Sequence, residues 1–224
     1  MQDINHPSGE EELIRLLLKR QSELNSLLEV TRAINKNTST TVLIQMLEMI
    51  LQSHLHVGRF RFLIEKDNNY ACISKYGGDI ESTVILSKAC ATLNKIKSPE
   101  PLAKNANAVL SKYDYFIPIY HKNKALAYAL VGDFSTSGEM LSNDLNFIQT
   151  LVNVVVVALE NKKLFKERLQ SERLQREMEL AAEVQNMLIP LRVHKETAVE
   201  VGARYLPHEN IGGDYFDFIR LNDN

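Results

Sequence analysis

At Val57 the spacing of apolar residues changes, and that change limits the folds open to the chain. Before it, Leu13, Leu17, Arg20, Leu24, Leu27, Thr31 and Ile34 recur at alternating steps of four and three, which sets them on one face of a helix. A polar break over residues 35–40 ends that helix. Thr40 or Thr41 is then placed to cap a second one, which turns Leu43, Met46, Leu47, Ile50 and Leu51 inward. After Val57, Phe60, Phe62 and Ile64 alternate with Arg59, Arg61 and Glu65, the pattern of a half-buried strand. A turn at 66–69 leads to a hairpin partner carrying Tyr70, Cys72 and Ser74, and Gly77-Gly78 stops it.

Residues 79–111 are irregular, with a short helix expected around Ser87 to Ile96 and with Pro99 and Pro101 limiting regular structure beyond it. Tyr115 to Tyr120 (YFIPIY) and Ala125 to Phe134 (ALAYALVGDF) form a second strand pair, joined at residues 121–124. Ser142-Asn143-Asp144 opens a long helix that continues into a charged stretch. Helix, helix, hairpin, short helix, hairpin, long helix is an α+β order around an antiparallel sheet.

The remaining numbers mainly exclude. With 26 Lys+Arg against 28 Asp+Glu, the net charge of −2 gives no electrostatic case for nucleic acid. Two cysteines, Cys72 and Cys90, cannot build a disulfide framework, and no Cys/His spacing points to structural zinc. The most apolar run, Leu151 to Leu159, is about half a membrane span, and no basic segment leads into an apolar one at the start. The expectation is a cytoplasmic protein with no membrane partner. His54 and His56, at a helix end, read as surface or capping residues, and Cys72 as a core or edge residue of its strand. Tyr113, Tyr115 and Phe116 read as core.

Over residues 20–163 the chain resembles a GAF sensory domain. The resemblance rests on LLEVTRAI (27–34), GRFRFLIEKDNN (58–69), FIPIYHKNKALAYALVGDF (116–134) and LSNDLNFIQTLVNVVVVALEN (141–161). It implies a six-stranded antiparallel sheet, helices on one face, a ligand pocket on the other, and dimerisation through flanking helices. The ligand stays unknown. The asparagine-lysine, phenylalanine and aspartate-glutamate signature of cyclic-nucleotide GAF domains is not recognisable as a set. Residues 1–19 read as an N-terminal helical extension.

Residues 164–190 read as a linker and regulatory helix, without glycine or proline before Pro190. Leu164, Leu174, Met178, Ala181 and Leu188 share one heptad register whose other core slots hold Glu167, Ser171 and Gln185. Such a seam suits a weak, parallel two-chain coiled coil, so a homodimer is expected. A charged surface helix on a monomer is the alternative.

Three linked segments follow: ELAAEVQNMLIP (179–190), VEVGARYLP (199–207) and IGGDYFDF (211–218). They read as an amphipathic helix stopped by Pro190, an alternating strand ending near Tyr205, and a diglycine turn that leaves Asp214 free to face a cation. The series resembles the opening of the catalytic domain of SpoIIE/RsbU-type serine phosphatases of the metal-dependent PPM group. The resemblance makes Asp214, with Gly213 as its backbone neighbour, a ligand of a two-metal Mn²⁺ or Mg²⁺ centre. Leu180, Val184, Met187 and Leu188 would belong to the regulatory switch helix, and Asp217 would have an outer role. The implied substrate is a phosphorylated STAS-type anti-sigma-factor antagonist. The later acidic motifs do not occur in 191–224, and one carboxylate cannot hold two cations that each want about six oxygens. The expectation is therefore an incomplete phosphatase domain, inactive and metal-free as it stands. The rival expectation is a GAF sensing and dimerisation module with no enzyme attached. A diguanylate cyclase or histidine kinase output is disfavoured, since the sequence holds neither a GGDEF motif nor a phospho-accepting histidine on the linker helix.

Overall fold

The computed structural model describes residues 9–66, 69–78, 81–102, 104–121, 124–134, 139–190, 202–207 and 210–219. The chain divides into two compact units, Met1–Asn161 and Lys162–Asn224.

In the first unit, helices α1 (Gly9–Asn35) and α2 (Thr40–Leu55) precede a hairpin of strands β1 (Arg59–Lys66) and β2 (Asn69–Tyr76). Helix α3 (Thr83–Ala91), the two-residue strand β3 (Glu100–Pro101) and a 3₁₀ turn at Leu110–Lys112 follow. Strands β4 (Tyr115–His121) and β5 (Lys124–Gly132) and helix α4 (Glu139–Leu188) complete the order. The α+β class with an antiparallel sheet is what the sequence order implies.

Local chemistry sets several boundaries. The cap of α2 is Ser39, whose hydroxyl accepts from the Val42 N–H, one residue ahead of the threonines expected there. His56 closes the same helix in the left-handed region at φ 52°, the capping role expected of it. Helix α3 starts four residues before the expected Ser87, because Ser82 accepts from the Ile85 N–H and supplies the cap. At Gly77, with φ 67°, an added Cβ would lie 1.9 Å from the Gly58 carbonyl oxygen, so the turn after β2 requires glycine.

The sheet runs in the order β2-β1-β5-β4-β3, every pair antiparallel. Five strands lie among the described residues where the resemblance implies six. The shortest is β3, whose Pro101 brings no N–H to the ladder. Beyond β3, the rim of β4 is blunted in the same way. Pro118 has no donor, and its carbonyl accepts from the Gln149 side chain on α4 at 3.4 Å.

The two faces of the sheet are covered differently. On one, Phe60, Phe62, Ile117, Ile119, Ala127, Ala129 and Val131 meet Val30 of α1, Leu47, Ile50 and Leu51 of α2, and Ile148, Leu151, Val152 and Val155 of α4. The apolar run of α4 is therefore core. By length and composition its 140–188 stretch is long and apolar enough to cross a membrane, but the apolar run packs directly on the sheet. On the other face, Leu63, Phe116, Tyr128 and Leu130 meet Leu86, Ala89 and Cys90 of α3 and Leu102, Leu110 and Tyr113 of the chain between β3 and β4. A half-buried β1 would leave Arg61 in solvent; instead its side chain is fully buried, because α3 and that irregular chain close over it.

In the second unit, the 162–188 part of α4 is exposed and held by side-chain pairs one turn apart: Arg168–Glu172 at 2.9 Å, Arg173–Glu177 at 2.8 Å, and Gln175 donating to Glu179 at 3.1 Å. The alternating strand expected to end near Tyr205 is not formed over 202–207, where no pairing partner is present among the described residues; its 199–201 portion lies outside them, as does the expected hairpin tip at 221–224.

Candidate functional site

Two places bring polar groups together in a way packing alone does not require. The first is Arg61 on the α3 side of the sheet. Its guanidinium donates to the Phe60 and Tyr76 carbonyls at 2.8 and 2.7 Å and lies 3.3 Å from a Glu81 oxygen. The same oxygen accepts from the Tyr113 hydroxyl at 3.0 Å, and Lys112 reaches the other at 3.4 Å. Both Arg59 and Arg61 stand over the Tyr113 ring, at 5.9 and 5.7 Å from its centre.

Burial alone would raise the Glu81 carboxyl. The backbone N–H, the Tyr113 hydroxyl, Arg61 and Lys112 outweigh that effect and hold it below its ordinary value of 4.5. Glu81 therefore stays ionised at neutral pH and fills a site whose chemistry, a guanidinium, an ammonium and a phenol, suits a carboxylate or phosphate. In the apolar cluster on the same face, Tyr70 and Tyr128 stack at 4.3 Å, and burial raises both phenols. Burial likewise pushes the Cys90 thiol up to about 12 and raises Cys72. Cys72 is half-buried in β2, its thiol 3.2 Å from the Ser74 carbonyl, which fits a packing residue and not a thiolate tether.

The second place lies within the C-terminal unit. The Gln185 side chain brackets Gly212, donating to its carbonyl at 2.6 Å and accepting from its N–H at 2.9 Å. An amide side chain here imitates a strand partner for one residue. The Tyr205 hydroxyl donates to the Asp214 carbonyl at 3.1 Å. A Cβ on Gly212 would fall 1.7 Å from that hydroxyl oxygen, whereas one on Gly213 would meet nothing within 4 Å. The close approach that needs glycine is at Gly212, although the sequence draws attention to Gly213.

The Asp214 side chain is exposed, and Asp217 accepts from the neighbouring Phe218 N–H at 2.8 Å. No group of three or more His, Cys, Asp or Glu stands together among the described residues. The residues present therefore do not fit a two-metal centre by themselves.

Of the switch-helix residues, Leu180, Val184 and Leu188 line an apolar groove of about 450 Å³ with Ala181, Ile211 and Tyr215, while Met187 is 81% exposed. The seam residues Leu164, Leu174, Met178, Ala181 and Leu188 are all exposed. Sequence reasoning treated Gln185 as a polar flaw in the seam and passed over Glu81. The spacing of Gln185 within ELAAEVQ was a signal for the first, whereas nothing local marks the second.

No family model matches the chain, and no curated protein matches it. Solved structures do. The GAF domain of a protein described as a sensor histidine kinase from Pseudomonas syringae pv. tomato aligns with TM-score 0.51 and 10% identity, over 71% of this chain and 99% of that one. A GAF domain from A. aeolicus (TM-score 0.48, 16% identity) covers 64% of this chain and 99% of its own. The GAF domain of a phosphoenolpyruvate-protein phosphotransferase from Coxiella burnetii (TM-score 0.47, 15% identity) covers 65% and 96%. At these identities the likeness concerns the fold, and the first alignment carries it: the chain contains a GAF-domain fold.

Proposed function

We propose that this GAF fold is the sensory input of a bacterial metal-dependent serine/threonine phosphatase of partner-switching signalling, and that α4 carries its output. The observation that supports this reading most is the Gln185 bracket on Gly212, because it ties the helix to the backbone two residues from Asp214. A shift or rotation of the helix would then move the aspartate loop with it. The exposed seam is the natural place for a parallel homodimer, and two chains could set the helix in alternative registers.

In this reading Asp214 is one Mn²⁺ or Mg²⁺ ligand of a longer polypeptide that brings the remaining carboxylates. The substrate is a phosphorylated STAS-type antagonist, and the GAF input is an unidentified small molecule or protein. A second reading is a sensing and dimerisation module with no enzymatic output, which the GAF fold and the exposed seam would serve by themselves.

The deciding assay is Mn²⁺-dependent hydrolysis of a phosphoserine STAS substrate by the longer polypeptide. Asp214→Asn should lower the rate by orders of magnitude with little change in fold, because an exposed carboxylate contributes little to stability. Retention of most activity in that variant would remove the role assigned to Asp214. Gln185→Ala should reduce activity and raise backbone amide exchange over residues 211–214.

A further inference from the structure

The loop that carries Asp214 rests on the face of α4 that the seam offers to a second copy. In the heptad register of Leu164, Leu174, Met178, Ala181 and Leu188, Gln185 fills the core slot between the last two. A side chain at such a slot points at the partner helix, whose axis lies about 8–10 Å away in a packed pair. Here the Gln185 side chain points at Gly212, donating to its carbonyl at 2.6 Å and accepting from its N–H at 2.9 Å. The Gly212 backbone therefore stands where the partner helix would pass. Ile211 and Tyr215, on either side of Gly212, line one apolar groove with Ala181, Gln185 and Leu188. Three successive core slots thus face the chain's own loop.

Upstream the seam is open. Leu164, Leu174 and Met178 are exposed, and the Arg168–Glu172 and Arg173–Glu177 pairs join residues outside the core slots. The loop also covers its own slots incompletely, since Leu188, Ile211 and Tyr215 remain exposed. A contact of that kind can be displaced by a helix that buries the same side chains more fully.

We propose that loop 211–215 and the helix of a second copy are alternative occupants of the face from Ala181 to Leu188. With the loop docked, two chains pair from Leu164 to Met178 and splay beyond it. With the loop released, pairing runs on to Leu188 and the Asp214 loop loses its hold on the helix. The proposal rests on the homodimer reading and adds a competitor to it. Two contacts that exclude each other weaken each other by the same factor. An input that tightens the far end of the helix pair therefore frees the Asp214 loop, and one that holds the loop shortens the pair.

The test is oxidative cross-linking of the full chain with a cysteine at one of two equivalent slots, Leu174→Cys or Leu188→Cys. The unaltered chain serves as the blank for Cys72 and Cys90. Leu174→Cys should form linked dimers roughly tenfold faster or more, because a disulfide needs Cα atoms within about 7 Å. Adding Ile211→Asp and Gly212→Val puts a charge in the groove and a branched side chain against the Tyr205 hydroxyl, and leaves the helix unaltered. That change should raise the Leu188→Cys rate to the Leu174→Cys rate. Leu188 itself lines the groove, so amide exchange in the unaltered chain gives a second readout: residues 211–214 should exchange faster at dimerising concentrations than in dilute chains. Equal cross-linking rates with the loop unaltered, no rise on freeing it, or exchange that is unchanged or slower in the dimer would each overturn the competition and leave the dimer standing. No cross-link at Leu174→Cys would remove the dimer reading and the proposal with it.

Discussion

The sheet unit and the helical run beyond residue 161 share α4, yet they are held together by different physics. In the sheet unit, Ile148, Leu151, Val152 and Val155 of α4 are fully buried against strands and helices. Beyond it, Leu164, Leu174 and Leu180 of the same helix are 57, 55 and 61% exposed, and ion pairs between successive turns provide the local support. Such pairs contribute only about 0.2–0.5 kcal/mol each, whereas burying one leucine contributes roughly 1.5–3 kcal/mol. The first region is therefore fixed by its own chain. The second has apolar surface to spare, and that surface is what a second copy can cover.

Substitutions on the two sides of that boundary should separate the cases, and the largest effect belongs to the buried charge. Arg61→Ala would take from Glu81 its guanidinium partner, leaving it Lys112 and the Tyr113 hydroxyl, and should cost up to about 3–5 kcal/mol in a denaturant melt. Arg61→Met combined with Glu81→Leu should recover much of it, because a buried pair adds little over apolar groups of similar size. Next comes a matched pair of truncations. Leu151→Ala should destabilise the fold by about 2–5 kcal/mol. Leu174→Ala, measured dilute enough for a single chain, should stay within about 0.5 kcal/mol. Equal losses at the two positions would break the comparison.

A smaller effect depends on pH. The Glu81 carboxyl is depressed in the folded chain, so the stability it contributes is complete above its ordinary value of 4.5 and is lost as pH falls through the folded value. Glu81→Gln should remove that part of the acid dependence of Tm. An unchanged acid limb would show that Glu81 is not held by Arg61 and Tyr113 in solution.

The same contrast explains what the sequence disclosed. Helical spacing located α1 and α2, alternation located β1 and β2, and the motif strings pointed to the GAF fold. These signals survive because each is local and repeats. Arg61 was misplaced because alternation says which side chains share a face and not whether the second face is covered. Its cover comes from α3 and the irregular 92–114 stretch, which carry weak periodicity. Glu81 lies 20 residues from Arg61 in the chain and just after a glycine turn, so no spacing rule joins them. Gln185 was visible as a polar residue in an apolar seam, but its bond to Gly212 spans 27 residues and needed coordinates. The two-residue β3 was hidden by the prolines that shorten it.

On the proposed reading, the exposed seam from Leu164 to Leu188 is covered by a second copy. Light scattering of the full chain at tens of micromolar, compared with the Leu174→Lys/Met178→Lys double variant, tests it most directly. About twice the 25.5 kDa chain mass is expected for the unaltered protein, with a shift toward the single-chain mass in the variant, whose lysines put charge into the seam. A single-chain mass for the unaltered protein, or a variant that dimerises equally well, would contradict it.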